Sequence, residues 1–376
     1  MKYRLGEICD VVSGGTPSRA TAEFWDGGTI PWIKIGNIQR KYVDEADEYI
    51  TQAGLEGSSA KMLSAGTILF TIFATLGEVG ILTIEACTNQ AIAGITIKNQ
   101  SDILTDYLYY FLKSQKSCIA ALGRGVAQNN INLSILRNFE VPIPDLPMQK
   151  QIVAILDKTA KVVEVRQQQL QQLDELVKAR FVELFGDGNH PHIALIDLII
   201  EGAGLSYGIV QPGDDGTGDM GVLRPVDMVD GKISTASIKY IDRSIGDGFK
   251  KTELYGDELL ITVRGTTGIT ALTDIRFNGM NVTRGIAVVR YDRNKINPVY
   301  LNAYLNTDES QRYIQEHTRG ATLQQINLSD LRVQQIMVPP LALQEQMAAF
   351  IEQTDKSKFV CAYIGSTITS WQKLHS

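Results

Sequence analysis

From Met148 to Leu184 apolar and polar residues alternate with the period of a helix, and neither glycine nor proline interrupts them. Leu156, Val163, Leu170, Val177 and Leu184 recur every seven residues, with Ile152, Ile155, Thr159, Val162, Leu173 and Leu176 in the neighbouring positions. A heptad repeat keeps one apolar stripe facing a partner, so this pattern predicts a coiled-coil seam. The other faces hold Gln167, Gln168, Gln169, Gln171, Gln172, Lys158, Lys161, Arg166, Asp174 and Glu175, which leaves only one side in need of cover. Gly186, Gly188 and Pro191 mark its end. The last segment repeats the spacing in Met347, Phe350, Ile351, Thr354, Cys361, Ile364, Ile368 and Trp371, and is the expected antiparallel partner. A helix of about 37 residues makes a rod of roughly 55 Å.

Elsewhere the pattern shortens. Ile30 to Ile35 and Ile68 to Phe73 read as strands, and Asp106 to Ala121 as a helix. The run from Gly66 to Ile84 is apolar enough to suggest a membrane span, but it contains Glu78 and is rich in Thr, Ile and Phe. Buried strands turning near Gly77 and Gly80 explain it better. Its counterpart from Gly256 to Leu272 carries Asp257, Glu258 and Arg264, which no bilayer segment would hold.

That counterpart belongs to an internal repeat. Displaced by 195 positions, Arg124-Gly125 falls on Arg319-Gly320, Ile131 to Ser134 on Ile326 to Ser329, Leu136-Arg137 on Leu331-Arg332, and Gln149 on Gln344. Nearer the start the displacement is 190 or 191, so the second copy is longer by a few loop residues. The ends of the copies match and the middles diverge, as in a shared scaffold with a variable surface. The expected organisation is a lobe over 1–145, a long helix over 146–187, a second lobe over 188–340 and a second long helix over 341–376. The fold class is α+β: two similar mixed α/β lobes separated by two long helices packed as an antiparallel coiled coil, with pseudo-two-fold symmetry.

Composition changes this picture little. The 376 residues carry a net charge of −6, with 44% hydrophobic and 21% charged positions, as in an ordinary globular protein. Cys9, Cys87, Cys118 and Cys361 form no Cys-x-x-Cys pair and no signal segment opens the chain, which predicts a cytoplasmic location. His190, His192, His317 and His375 are too scattered for a metal site. There is no phosphate loop, no nucleophile elbow and no amino-methyltransferase motif. Asp145 is expected to start the long helix, and the acidic run Asp44-Glu45-Ala46-Asp47-Glu48 and the pair Asp214-Asp215 read as solvated loops.

What remains is recognition. Two similar lobes held apart by a stiff spacer suit a target with two related but different sites, and duplex DNA, with a turn of about 34 to 36 Å, is such a target. The acidic balance tells mildly against a freestanding nucleic-acid binder. The alternative is a two-lobed scaffold that binds only proteins.

The strings that carry chemistry resemble a known family. Ser13-Gly14-Gly15-Thr16-Pro17-Ser18, Phe24-Trp25, Ile30 to Ile33, Gly66 to Thr71, Gly256 to Gly268 and the exits VPIPDLPMQKQI and IMVPPLALQEQM are similar to specificity subunits of type I restriction-modification systems. The resemblance covers the whole chain. It implies two target-recognition domains, each reading half of an asymmetric bipartite DNA site, in a chain without catalytic residues. It further implies methyltransferase subunits docked along the helices, restriction and translocase subunits beyond them, and no membrane partner. S-adenosylmethionine, ATP and magnesium would belong to those partners. Shared DNA gripping by the methyltransferases would answer the charge objection.

Candidate DNA contacts in the first lobe are Ser13, Gly14, Gly15, Thr16, Ser18, Arg19, Lys34, Asn37, Thr75, Arg124, Gln128, Asn129 and Asn130. In the second they are Ser206, Tyr207, Arg224, Arg264, Thr266, Thr267, Arg319, Gln324 and Gln325. Glycine lets backbone approach phosphates, and amides and guanidinium groups reach base edges. Arg124 and Arg319 read as phosphate contacts, whereas Trp25 and Trp32 read as core. Arg264 could fork onto a guanine or pair with a nearby acid. At the matching position Phe73 could only pack or touch a thymine methyl.

Overall fold

The computed structural model describes residues 1–116, 119, 131–186, 188–210, 213, 218–229, 231–321 and 323–375, with side chains up to 358. Arg124, Gln128, Asn129, Asn130, Asp214 and Asp215 lie outside the described residues, as do the side chains of the seam candidates Ile364 and Trp371. The chain divides into two compact units, Met1–Arg166 with Gly365–Ser376, and Gln167–Ile364.

In the first unit a five-stranded sheet runs in the order Cys9–Ser13, Ile92–Ile97, Ile68–Thr71, Val79–Leu82, Tyr42–Val43, antiparallel except for the last pairing. Ile68 and Phe70 pack with Leu108 and Leu112 of the helix Thr105–Ser114, and Leu69 packs on the other face with Ile33, Leu63 and Ile92. Cover on both faces is why this strand reads as an unbroken apolar run. A three-stranded layer, Glu48–Ile50, Ile30–Ile33, Cys87–Thr88, lies beside it.

The second unit repeats the plan. Ser206–Tyr207, Ile286–Val289, Leu259–Leu272 and Gln324–Gln325 form one sheet, and Lys239–Ile241, Met220–Leu223 and Asn281–Val282 another. The segment Leu259–Leu272 folds back on itself, since the Thr273 N–H donates to the Glu258 carbonyl at 2.8 Å. Its turn needs Gly265 and Gly268, at φ 87° and 88°.

In each copy the first strand pairs with the last. Lys2–Arg4 pairs Glu140–Pro142 with Lys2 opposite Pro142, and His192–Ala194 pairs Gln335–Met337 with His192 opposite Met337. Beyond these pairs start the long helices, Leu146–Phe185 and Leu341–His375. Asp145 starts the first as expected, its Oδ1 accepting the Met148 N–H at 3.0 Å.

One glutamine fastens each lobe to its helix. The Gln149 Oε1 accepts the Leu104 N–H at 2.9 Å while its Nε2 donates to the carbonyls of Asp102 and Pro144. The Gln344 Oε1 accepts the Asn297 N–H at 2.8 Å, and its Nε2 donates to the Pro339 carbonyl at 2.7 Å. Both amides are fully buried. The Tyr107 and Tyr300 hydroxyls bind the exit strands at the Pro142 and Met337 carbonyls. Arg137 and Arg332, repeated in the two copies, donate to the carbonyls of Val11 and Leu205.

Leu156, Val163, Leu170, Val177 and Leu184 are all half-buried, in a stripe that recurs every three or four residues. Val177 and Leu184 pack against the core that holds Met347, with Ile351 beside it. Within the second unit the two helices run antiparallel: the Lys358 Nζ meets Asp174 Oδ1 at 2.7 Å, and Arg180 stacks over half-buried Phe350. Of the neighbouring positions Ile152, Thr159, Val162 and Leu173 are half-buried as well, and two others correct the expected seam. Ile155 and Leu176 are 53% and 50% exposed, because they sit on the flank of the stripe and not in it. The end of the first helix also does more than pair with its partner helix, since Phe181 and Phe185 pack on Tyr300 and Tyr304 of the second lobe.

Candidate nucleic-acid interface

In the first lobe, Ser13 lies opposite Ala93, which lies opposite Phe70, so the loop 14–19 and the turn after Thr71 leave the five-stranded sheet by the same end. The Gly14 N–H donates to the Ile92 carbonyl and the Gly15 N–H to the Thr88 carbonyl. A Cβ at Gly14 would lie 2.2 Å from the Thr88 hydroxyl, and one at Gly15 would lie 2.3 Å from the backbone at Ser59 and Ala60. Both glycines are therefore buried packing positions, and only the loop beyond them faces outward. Thr16 hydrogen-bonds Gln90, and Ser18 and Arg19 are exposed.

Arg19 is already engaged. Its guanidinium lies 3.6 Å above the Trp25 ring and bonds Glu48. Lys34 reaches the same carboxylate at 2.6 Å. Hydrogen bonding from Lys34, against the opposing effect of burial and with help from Arg19, holds the Glu48 carboxyl below its ordinary range. Glu48 is thus a strand residue gripping two cations, which corrects the solvated-loop expectation for that end of the acidic run. Asn37 accepts the Lys34 N–H at 2.8 Å and shapes the following turn. Thr75 is exposed at the tip of the Ile68–Thr71 and Val79–Leu82 hairpin, beside Phe73, also exposed, and Ala74 at φ 58°.

The second lobe places its counterparts alike. Arg224 occupies the position of Lys34, ahead of the turn Pro225–Asp227, and is likewise engaged. Its Nε and Nη2 reach the two oxygens of fully buried Asp227 at 3.1 and 3.0 Å, and its Nη2 also reaches the Ser237 carbonyl. That bonding raises its pKa further and makes it a structural anchor of the turn. Thr267 is turned inward against the Thr318 hydroxyl at 3.0 Å and is 4% exposed, so it presents nothing outward. Ser206 and Tyr207 sit on the far edge strand, with two strands between them and Gln324–Gln325.

The remaining candidates converge. Arg264 lies opposite Gln325 and Gly265 opposite Gln324, while Arg319 bridges Gln325 from its other side. Residues directly opposite in a ladder point to the same face, so Arg264, Gln325 and Arg319 share one face of the hairpin tip. Thr266 is exposed at the turn. Among the described residues no carboxylate pairs with Arg264, and Arg319, 74% exposed, only approaches Asp330 at 3.9 Å.

Sequence reasoning missed Arg284. It is exposed, has no side-chain partner among the described residues, and precedes Gly285, whose carbonyl accepts the Val263 N–H at 2.8 Å beside the tip. A signal existed: Arg264-Gly265, Arg284-Gly285 and Arg319-Gly320 are three Arg–Gly pairs in one copy. In the last of them Gly320 adopts φ 99°. The equivalent turn of the first lobe carries Gln90.

Among the described residues no group of His, Cys, Asp and Glu could hold a metal ion, and no helix is long and apolar enough to cross a membrane. Burial pushes the Cys9 and Cys87 thiols up to about 12 and about 11, which suits packing and not nucleophilic chemistry.

A search among protein families matches residues 1–175 and 219–359 to the type I restriction modification DNA specificity domain. The chain belongs to that family. The specificity domain thus occurs twice, once in each copy of the repeat. A type I restriction enzyme specificity subunit of Escherichia coli is 33% identical over 160 residues, which is 41% of this chain and 39% of that relative. One from Methanocaldococcus jannaschii is 22% identical over 376 residues, covering 93% of this chain and 85% of its own. The chain therefore spans less than half of the first relative and most of the second. The fold is shared with the solved type I S subunit from M. genitalium, at TM-score 0.58 and 14% identity over 100% of this chain and 94% of that one. Membership in a DNA-specificity family leaves the protein-only scaffold without support.

Proposed function

We propose that this specificity chain is the non-catalytic reader of a type I restriction-modification complex, with each lobe recognising one half of an asymmetric bipartite site in double-stranded DNA. The carrying observation is the hairpin tip of the second lobe. On a chain of net charge −6, Arg264 and Arg284 stand there without a carboxylate partner among the described residues, beside Arg319, Gln324 and Gln325. Arginine forks onto guanine O6 and N7, and glutamine onto adenine, so this set suits purine edges in a major groove. In the first lobe the loop 16–19, the turn Phe73 to Thr75 and Gln90 occupy the corresponding sheet end.

Among the described residues the lobes supply no metal site and no activated thiol of their own. Methyl transfer from S-adenosylmethionine would fall to methyltransferase subunits docked on the long helices, and ATP- and magnesium-dependent cleavage to restriction and translocase subunits. The exposed residues Met148 and Ile155, one heptad apart on the long helix, provide apolar cover for such docking.

The test is methylation mapping of the complex reconstituted with Arg264→Ala. Loss of one bidentate contact is worth about 1–3 kcal/mol, so discrimination at one purine of one half-site should fall roughly 5- to 150-fold. The other half-site should be read unchanged. Equal relaxation of both halves, or of neither, would refute the assignment.

A further inference from the structure

Lys41 makes contacts in the first lobe that sequence recognition does not need. Its Nζ lies 2.7 Å from Asp106 Oδ1 and 2.6 Å from Asp157 Oδ1. The rings of Tyr42, Tyr109 and Tyr110 surround it at 5.3, 5.6 and 4.9 Å. The Tyr110 hydroxyl donates to Asp157 at 2.6 Å and the Tyr42 hydroxyl to Asp106 at 3.0 Å. Only 16% of the lysine side chain is exposed. Asp106 and Tyr110 belong to the lobe helix Thr105–Ser114, and Asp157 belongs to the long helix.

The placement matters because, among the described residues, the other side-chain hydrogen bonds that join the lobe to its long helix lie near the start of the helix, at Gln149. A single fastening point lets a body pivot. Asp157 lies eight residues beyond Gln149, about 12 Å further along the axis at 1.5 Å per residue, and a second fastening at that distance removes the pivot. The second copy has Val299 and Ala303 where the repeat would place Asp106 and Tyr110, so it lacks such a cage. There Phe181 and Phe185, from the end of the first long helix, pack on Tyr300 and Tyr304 of the second lobe instead.

We propose that Lys41, caged by Asp106, Asp157 and three tyrosines, is a positioning residue that locks the first lobe at one angle on the long helix and thereby fixes the number of base pairs between the two half-sites. The inference rests on the bipartite reading proposed above. A change of one base pair shifts a half-site by about 3.4 Å and turns it by about 35°. A lobe locked in angle rejects that change, whereas a pivoting lobe follows it.

The experiment uses the full chain in its reconstituted complex, with Lys41→Met and, separately, Asp157→Asn. DNA duplexes keep both half-sites and vary the spacer by one base pair in either direction. Wild type should prefer one spacer, and Lys41→Met should lose at least tenfold of that preference while base substitutions within each half-site are rejected as before. Asp157→Asn, which keeps a hydrogen-bond partner for Tyr110, should lie between them. Unchanged spacer preference would overturn the proposal, and so would parallel loss of spacer and base discrimination, because that marks general destabilisation. A DNA-free arm separates this idea from the bipartite reading. Spin labels carried by non-canonical amino acids at Ser101 and Lys158 should give one narrow distance distribution in wild type and a broad one in Lys41→Met. Equal widths would overturn the latch even if DNA reading fails for other reasons.

Discussion

At the hairpin tips the two copies solve one backbone problem with different residues. Ala74 and Gly265 occupy the same turn position at φ 58° and 87°, a region that costs a non-glycine residue about 1–2 kcal/mol. Ala74→Gly should therefore stabilise the first lobe by up to about 1 kcal/mol, less what the unfolded chain gains in freedom. Gly265→Ala should destabilise the second by about 1 kcal/mol, and urea unfolding measures both. A drop in stability on Ala74→Gly would mean that the alanine methyl packs against something more valuable than relaxed backbone. The Arg–Gly pairs are legible in the sequence, but Arg284 falls in the diverged middle, where the first copy has Gln90 and no repeat identity marks the position. Arg224 misled for the opposite reason: an arginine beside a strand looks available until its chain neighbour Asp227, three residues on, folds back to meet it.

Among elements, the first long helix was the most legible part of the chain, since its heptads, the absence of glycine and proline from Met148 to Leu184, and the terminal Gly186 need no tertiary knowledge. How lobes fasten to them was not legible. Gln149 and Gln344 stood out only as repeat identities, and their roles depend on backbone groups more than forty residues away, the Asp102 carbonyl and the Asn297 N–H. Removing either amide leaves buried backbone groups without partners, at about 1–3 kcal/mol. Gln344→Ala should lower the unfolding midpoint of the second lobe accordingly, as calorimetry would record, and an unchanged midpoint would deny it a fastening role. The other fastening is sensitive to acid. Burial favours the neutral form of Asp157, but hydrogen bonds from Lys41 and Tyr110 outweigh it and hold the carboxyl below its ordinary value near 3.8. A depressed carboxyl stabilises the fold above its unfolded pKa and stops doing so as the pH falls through the folded one. The stability gap between wild type and Asp157→Asn should be widest near pH 7 and close below about pH 4. A gap independent of pH would show that the ion pair contributes nothing.

For the molecule as a whole, modularity is the central expectation. Exchanging residues 1–145 for the same lobe of another family member should change one half of the recognised sequence only, and methylation mapping with both halves altered would contradict it. Leu170 sits half-buried in mid-helix, where proline costs about 3 kcal/mol or more. Leu170→Pro should weaken association with methyltransferase subunits, and an unshifted elution volume of the complex would count against it.

The paired terminal strands carry a consequence for how such readers diversify. Lys2 corresponds to His192 at a displacement of 190 and Pro142 to Met337 at 195, so the second lobe contains five more residues between its two closing strands. The register of the closure is nevertheless the same. Insertions and deletions are absorbed inside the hydrogen-bonded collar, and the direction in which the chain departs from it is untouched. Loop length in either lobe can therefore change without moving the point from which the long helix departs.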